Sequence, residues 1–354
     1  MRGPPEHDAI RSTGATSRHA LRFLVVAAGV SAAVCGALLA GGAEKDEPMK
    51  ATLIESRKIW AEAPHNAFTD LIHWKGRFWC AFREGRGHVS TDGRIRVLTS
   101  ADGAKWESAG LISLPGQDLR DAHLSVTPAG RLMLLGGAAA RKEDGRQVPT
   151  ASFVSLSADG KDFSTPRLVT EPGWWLWQAS WHKGTAYGVA YGKAGEKYRA
   201  RLLRSDDGLT WTTHVDDWLA GEAPNEVALR FDGDRCVALV RRESAPALLA
   251  AAESPFKEWT ARELGNHTNS FGGPNLLKTP RGWIAAGRMH DGGSHTALCA
   301  LDVEAGALTR LLKLPSGGDT SYPGLLWHDG LLWMSYYSSH EGRTSIYLAR
   351  AKVQ

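Results

Sequence analysis

The segment NEVALRFDGDRCVALVRR, Asn225–Arg242, places apolar residues on both sides of an Asp-Gly pair. Such a pair between two aliphatic runs is typical of a β-hairpin, because glycine adopts the positive φ that a tight turn requires. Five other segments share this pattern: FTDLIHWKGRFWCAFRE (68–84), DAHLSVTPAGRLMLLGG (121–137), LWQASWHKGTAYGVAYG (176–192), PNLLKTPRGWIAAGR (274–288) and YPGLLWHDGLLWMSYYS (322–338). Their turn glycines are Gly76, Gly130, Gly184, Gly233, Gly282 and Gly330, spaced 48 to 54 residues apart. The chain therefore contains six hairpins of nearly even period.

A second short motif occurs in three of these periods. Its copies are SADGAKW (Ser100–Trp106), SADGKDF (Ser157–Phe163) and SDDGLTW (Ser205–Trp211). The Ser and Asp side chains can accept hydrogen bonds from the backbone N–H groups of the turn, and the aromatic residue can pack beneath it. Each period has room for four short strands, so this turn belongs to a second hairpin. A four-stranded antiparallel sheet repeated six times around an axis is an all-β fold, the six-bladed β-propeller, which is the predicted architecture.

The N-terminal 43 residues differ from the rest of the chain. A basic leader precedes residues 23–43, which carry no charge, as in an export signal. This segment is either a signal peptide cleaved near Ala43 or a membrane anchor, because about 20 apolar residues span a bilayer. In both cases we expect the remainder to be exported, to the periplasm, the cell exterior or the outer face of the cytoplasmic membrane. The predicted organisation is a signal or anchor over 1–43, a linker over 44–58 and a propeller over 59–354.

Composition excludes several classes of function. The 42 Lys and Arg residues nearly balance 38 Asp and Glu residues, and runs of basic residues are absent, so nothing favours nucleic-acid binding. Cys80, Cys236 and Cys299 lie in apolar runs and form no CxxC motif, so they predict neither a disulfide framework nor a zinc site. We expect no cofactor, no metal and a monomer.

Polar residues at the ends of the hairpins indicate the candidate site, because the innermost strands of a propeller converge on its axis. Glu226 and Tyr322 lie at matching strand entrances, and Asp121 lies at the entrance of the second blade. Four arginines follow their turn glycines by six to nine residues and could surround one anion: Arg83, Arg241, Arg242 and Arg288. Neighbouring residues of a strand face opposite ways, so only one of the pair at 241–242 can serve, and Arg241 is preferred.

These residues give the chain a resemblance to the sialidases, or neuraminidases, over about residues 60–350. The SxDGxxW turns are similar to that family's Asp boxes, also named BNR repeats. The segment NEVALRFDGDRCVALVRR is similar to the one that bears the family's glutamate and an active-site arginine. AAGR (285–288) and SYPGLLWHDGLLWMSYY (321–337) resemble its last arginine and the strand of its tyrosine nucleophile.

The resemblance implies a set of roles. Tyr322 would be the nucleophile and Glu226 the group that takes its proton, while Arg241 and Arg288 would bind the carboxylate of the sugar. The family's general acid is an aspartate in the loop after the first hairpin, here REGRGHVSTDGRIRVLTS (83–100), where Asp92 is the match. His88 in the same loop is an alternative proton donor or substrate contact, and Asp121 could be either acid or substrate contact.

The sequence departs from the family at one point. The family's first arginine lies in an FRIP-like motif before the first hairpin, where this chain has HNAFTDL (65–71), so Arg83 or Arg86 would have to reach the ligand instead. The predicted function is an exported retaining exo-glycosidase that removes terminal sialic acid or a related acidic sugar from glycans. Two alternatives are open: a glycan-binding propeller without activity, and a glycosidase or lyase that uses Asp121 and His88. Trp175 and Trp177 are candidates for a sugar-contacting face.

Overall fold

The computed structural model describes residues 47–140, 148–264 and 271–354, and Pro48–Gln354 form one unit. Within these residues the chain forms six four-stranded antiparallel sheets arranged as the blades of a ring, and no helix. The predicted six-bladed β-propeller is confirmed. The predicted signal or anchor over 1–43 lies outside the described residues. None of the segments 47–140, 148–264 and 271–354 contains a helix long and apolar enough to cross a membrane.

The strands follow one another from the axis outward in each blade. Strand β1 (Ala51–Trp60) belongs to the last blade. The first blade contains β2 (His65–Trp74), β3 (Arg77–Gly85), β4 (Arg94–Ser100) and β5 (Glu107–Ile112); the second contains β6 (Gln117–Val126), β7 (Leu132–Ala140), β8 (Ala151–Ser157) and β9 (Arg167–Leu168). The third contains β10 (Trp175–His182), β11 (Thr185–Ala194), β12 (Lys197–Ser205) and β13 (Thr212–Val215).

The remaining blades repeat this order. The fourth contains β14 (Pro224–Asp232), β15 (Arg235–Arg242), β16 (Leu248–Glu253) and β17 (Thr260–Glu263); the fifth contains β18 (Gly272–Thr279), β19 (Gly282–Met289), β20 (His295–Asp302) and β21 (Ala307–Lys313). The sixth contains β22 (Thr320–His328), β23 (Leu331–Ser338), β24 (Ser345–Val353) and, as its outer strand, β1. The hairpins predicted from the sequence are the two innermost strands of each blade.

The pairing of β1 with β24 closes the ring. It is antiparallel and runs from Ala51 opposite Val353 to Trp60 opposite Ile346. The predicted linker over 44–58 is therefore wrong from Ala51 onwards. The sixth blade obtains only three strands from the C-terminal end of the chain, and the N-terminal strand covers the edge that would otherwise stay open.

The repeated turns have the predicted geometry. Asp207 Oδ1 accepts hydrogen bonds from the N–H groups of Leu209 and Thr210 at 2.7 Å each, and Ser205 Oγ accepts one from Gly208 at 2.9 Å. Asp102 and Asp159 bind their own turns in the same way. Each of these turns joins the third strand of a blade to the outer strand, so the motif is part of the scaffold.

The turn glycines also join neighbouring blades. A Cβ atom on Gly160 of the second blade would lie 2.2 Å from the ring of Trp79 in the first. On Gly103 of the first blade it would lie 2.5 Å from Trp333 in the sixth. Trp79 and Trp333 thus pack between blades, as their positions after the hairpin glycines predict, and they exclude any larger residue from these turns.

We expect Gly160→Ala to destabilise the propeller by about 2–5 kcal/mol, since it adds a steric conflict with Trp79 to the cost of a positive φ. Gly184→Ala is the matched control. Gly184 has a φ of +90° and no atom within 4 Å of its Cβ position. The Gly184→Ala variant should therefore lose only about 1–2 kcal/mol of unfolding free energy. Chemical denaturation of the two variants and the parent chain measures the difference. An equal loss of unfolding free energy in the two variants would show that the steric conflict with Trp79 adds no destabilisation.

Candidate active site

All six innermost strands carry a β-bulge at the same level. In each of them two residues lie opposite one residue of the neighbouring strand. Such bulges bend a strand and redirect its side chains. The residues at these points include Phe68, Asp121, Trp177, Glu226, Gly273 and Tyr322, and we call the concave surface that they form the cup. Phe68, Asp121 and Tyr322 have φ values of 62°, 50° and 47°, a conformation that non-glycine residues rarely adopt and that packing must enforce.

Tyr322 and Glu226 meet in the cup, although they come from the sixth and fourth blades. The Tyr322 hydroxyl donates to Glu226 Oε1 at 2.8 Å. The second carboxylate oxygen of Glu226, Oε2, accepts a hydrogen bond from the backbone N–H of Gly273 at 2.7 Å. Glu226 is only 5% exposed, so its position is set by protein contacts and not by solvent.

The surroundings of Tyr322 keep its phenol neutral. Burial raises the pKa of Tyr322 well above its ordinary value, the negative charge of Glu226 raises it further, and Arg241 and Arg288 oppose both effects. A neutral phenol that is hydrogen-bonded to a carboxylate can become a phenolate only by giving its proton to that carboxylate. The pair is thus arranged for proton transfer coupled to attack by the phenol oxygen.

Arg241 and Arg288 both lie beside Tyr322. Arg241 Nη1 donates to Glu226 Oε1 at 2.5 Å and to the Tyr322 hydroxyl at 3.2 Å. The guanidinium carbon of Arg288 lies 5.5 Å from the centre of the Tyr322 ring, and its Nε is buried without a hydrogen-bond partner in the described part of the chain. Arg242 faces away from the cup and binds Glu222, Glu263 and a backbone carbonyl, as strand alternation requires.

Asp121 is buried in the cup with one unsatisfied oxygen. Its Oδ1 has no partner among residues 47–140, 148–264 and 271–354, and its Oδ2 lies 3.6 Å from Arg120 Nε. Burial raises the pKa of Asp121 to about 6, with a further contribution from Glu226, while Arg120 and His123 oppose the shift. A carboxyl group that stays protonated into this pH range can donate a proton.

Asp92 differs from Asp121 in both its exposure and the direction of its pKa shift. Its side chain is 40% exposed, and Asp92 Oδ2 lies 3.4 Å from Arg86 Nε. Partial burial raises the pKa of Asp92, but hydrogen bonds from Ser90 and the Arg86 backbone outweigh it and leave the pKa below its ordinary value. Asp92 is thus exposed and bound to its own loop, whereas Asp121 is buried in the cup.

Arg83 lies beneath the loop that connects β3 to β4, and not in the cup. It is fully buried, and its guanidinium binds Asp118 Oδ1 at 2.7 Å, the carbonyl oxygen of Gly87 at 2.9 Å and Ser90 Oγ at 2.8 Å. These contacts hold the loop that contains His88. They do not place Arg83 with the other arginines, and the exposed Arg86 pairs with Asp92.

Comparison with known proteins bears on the fold. No protein-family model and no curated protein matches the sequence. Among solved structures, a protein of unknown function from Dyadobacter fermentans matches with a TM-score of 0.76 and 20% identity, over 86% of this chain and 99% of that one. The sialidase of Trypanosoma rangeli matches with a TM-score of 0.64 and 12% identity, over 85% of this chain and 59% of that one. This chain shares its six-bladed propeller fold with both structures.

Two further structures extend this likeness. A Hadza microbial sialidase matches with a TM-score of 0.64 and 16% identity, over 84% of this chain and 68% of that one. The Trypanosoma sialidase is also known with 2,3-difluorosialic acid as a covalent intermediate. At these identities the likeness establishes a common fold, while the chain spans less than two thirds of the Trypanosoma enzyme.

The structure also adds residues that the sequence did not indicate. Arg120, from the second blade, places its guanidinium carbon 4.9 Å from the centre of the Phe68 ring, and Phe68 in turn packs edge-on against Tyr322 at 5.1 Å. Trp177 is 1% exposed and packs against Tyr322 at 5.7 Å, so it forms a wall of the cup and not an open platform for a sugar. The position of Arg120 directly before Asp121 was the one signal in the sequence that could have placed it near the cup.

Proposed function

We propose that this chain is a retaining exo-glycosidase of the sialidase type, which removes a terminal acidic sugar from glycans. The observation that carries the proposal is the hydrogen bond of 2.8 Å between the Tyr322 hydroxyl and Glu226 Oε1, beside two arginines. A carboxylate nucleophile would repel a sugar that bears its own carboxylate at the anomeric carbon, whereas a neutral phenol avoids this repulsion. The covalent intermediate of the Trypanosoma sialidase supports a two-step reaction.

In the first step the Tyr322 oxygen attacks the anomeric carbon while Glu226 takes the phenolic proton. The bond to the leaving group breaks, and Asp121 gives its proton to the glycosidic oxygen. The product of this step is a glycosyl-tyrosine. In the second step the Asp121 carboxylate takes a proton from water, the resulting hydroxide attacks the anomeric carbon, and the Tyr322 oxygen leaves and recovers its proton from Glu226. Two displacements at one carbon give net retention.

The sugar carboxylate would bind between the arginines of the cup. Arg241 and Arg288 are two of its partners, and we assign Arg120 as the third. Its guanidinium covers Phe68, at the place in the first blade where the family's first arginine is missing. Planar guanidinium groups suit a carboxylate because they can donate two parallel hydrogen bonds.

We expect Tyr322→Phe to lower kcat by at least about 10³-fold on aryl glycosides of sialic acid, since the nucleophilic oxygen is removed. Binding of the free sugar acid, measured by calorimetry, should change less than about tenfold. Tyr336→Phe is the control, because its hydroxyl binds Ser56 and Pro315 outside the cup. A wild-type chain that binds sugar acids but releases none from any aryl glycoside would instead indicate a glycan-binding propeller.

We expect kcat/KM to fall as the pH rises above about 6, because the pKa of Asp121 is raised to about 6 and the ionised form cannot protonate the leaving group. In Asp121→Asn this decline should vanish. The kcat/KM of the variant should fall about 10²- to 10⁴-fold on natural glycosides but less than about tenfold on a 4-nitrophenyl glycoside, whose leaving group needs no proton in the first step. Asp92→Asn should stay within about threefold of the parent on both substrates. A large loss on natural glycosides in Asp92→Asn and not in Asp121→Asn would indicate that Asp92 is the general acid.

We expect Arg120→Lys to raise KM for acidic sugars by about 10- to 100-fold, because lysine keeps the charge but loses the two-pronged geometry. Arg86→Lys, whose side chain is 74% exposed, is the control and should leave KM unchanged. Calorimetry with the free sugar acid gives the same comparison without turnover. If the two variants bind equally well, Arg120 serves only as the ion-pair partner of Asp118 and Asp121.

A further inference from the structure

Two histidines and an aspartate converge at the rim of the cup. His65 belongs to β2, His88 to the loop between β3 and β4, and Asp319 to the segment before β22. Asp319 Oδ2 lies 2.8 Å from His65 Nε2 and 2.8 Å from His88 Nδ1. The three atoms that could bind a metal lie within 4.8 Å of one another.

The aspartate is held rigidly in this position. Its other carboxylate oxygen, Oδ1, accepts a hydrogen bond from the buried Tyr337 hydroxyl at 2.9 Å. Its backbone N–H donates to Ser339 Oγ at 2.9 Å, and its carbonyl oxygen accepts from the Ser339 N–H at 3.0 Å. A ligating carboxylate that is fixed through its second oxygen is the usual arrangement around protein-bound metals.

The donor set and its spacing suit a divalent transition metal. Imidazole nitrogen and carboxylate oxygen together favour ions such as Zn²⁺, Co²⁺ or Fe²⁺, and two histidines with one carboxylate can occupy one face of an octahedron. Ligands at about 2.0–2.1 Å on adjacent octahedral positions lie about 2.9–3.0 Å apart. The two distances from Asp319 Oδ2 to the histidine nitrogens are both 2.8 Å, and all three donor atoms lie within 4.8 Å of one another. His65 Nδ1 is buried without a partner in the described residues, so the ring is oriented through Nε2 alone.

We propose that His65, His88 and Asp319 form a binding site for one divalent transition-metal ion, with the remaining coordination positions open toward the cup. The side chain of His88 is 48% exposed, which leaves an approach for the ion and for water or a substrate hydroxyl. The site is close to the proposed nucleophile, because the Phe68 ring packs 5.3 Å from His88 and 5.1 Å from Tyr322. The proposal does not depend on glycosidase activity, since binding is measured directly.

The test is a titration of the full chain, freed of metal by a chelator, with Co²⁺ followed by visible absorption and with Zn²⁺ followed by calorimetry. We expect one ion per chain with a Kd below about 10 µM. His88→Ala removes an exposed ligand without disturbing the core, and it and Asp319→Asn should each weaken binding by at least about 100-fold. Tyr337→Phe should weaken it by about tenfold, because only the contact behind the aspartate is lost.

His214→Ala is the matched control, since this histidine binds the Pro255 carbonyl in another part of the ring. It should bind Co²⁺ like the parent chain. Absence of stoichiometric binding by the parent, or equal affinity in the parent and His88→Ala, would overturn the proposal and leave the cluster as a hydrogen-bonded anchor for the loop. Circular dichroism of each variant confirms that lost binding does not reflect lost folding.

Discussion

Closure of the ring by β1 and β24 is the interaction on which the cup depends, because the residues that form the cup come from all six blades. Beneath the cup a series of polar contacts joins neighbouring blades. Leu124 N–H donates to Asp70 Oδ2 at 2.7 Å, and Arg230 binds both Gln178 and Asn275. Asn275 then donates to the Pro323 carbonyl, and Thr69 to that of Tyr322. These contacts fix the innermost strands relative to one another just below the bulges, and an opened sixth blade would release Tyr322 from Glu226.

The β-bulges of the innermost strands determine which side chains of this ring face the cup. A regular innermost strand would direct alternate side chains into the spaces between blades, where Trp79 and Trp333 pack. The bulge interrupts the alternation once in each blade and turns residues such as Asp121 and Tyr322 toward the axis, at the cost of an unfavourable φ. Six such interruptions at one level give a small concave surface whose charges are held by the scaffold. Three guanidinium groups next to two acids and a neutral phenol leave this surface suited to an anion.

The fold was predictable because hairpin periodicity and turn chemistry are local properties of the chain, and the meeting of Tyr322 with Glu226 followed from matching positions before the turn glycines. The burial of Asp121, on which its proposed role as general acid depends, was not predictable in the same way. Asp92 and Asp121 differ in burial and in their neighbours, which only the packed blades determine. The same limit applies to Arg83, which occupies a hairpin end but lies beneath a loop, and to Asp319, which reaches His65 from a segment 254 residues away. The place of β1 as the outer strand of the sixth blade could not be predicted either, because it depends on which blade lacks a fourth strand.

The contacts of Glu226 connect two parts of the proposed function, because Arg241 and Tyr322 both donate to its Oε1. Its carboxylate accepts hydrogen bonds from Tyr322, Arg241 and the Gly273 N–H, so two of the three donors belong to residues of the proposed reaction. Arg241 is also one of the groups proposed to bind the sugar carboxylate. In the proposed reaction, an anion that draws Arg241 toward itself would take one of the two donors away from Glu226 Oε1 and leave this oxygen to the Tyr322 hydroxyl. A neutral sugar offers no charge to compete for Arg241 and would leave the hydrogen bond from Arg241 to Glu226 in place. Under the proposed function the site would thus select for acidic sugars through the contacts of Glu226 with Tyr322 as well as through affinity, which is the kind of discrimination that acts on the transition state.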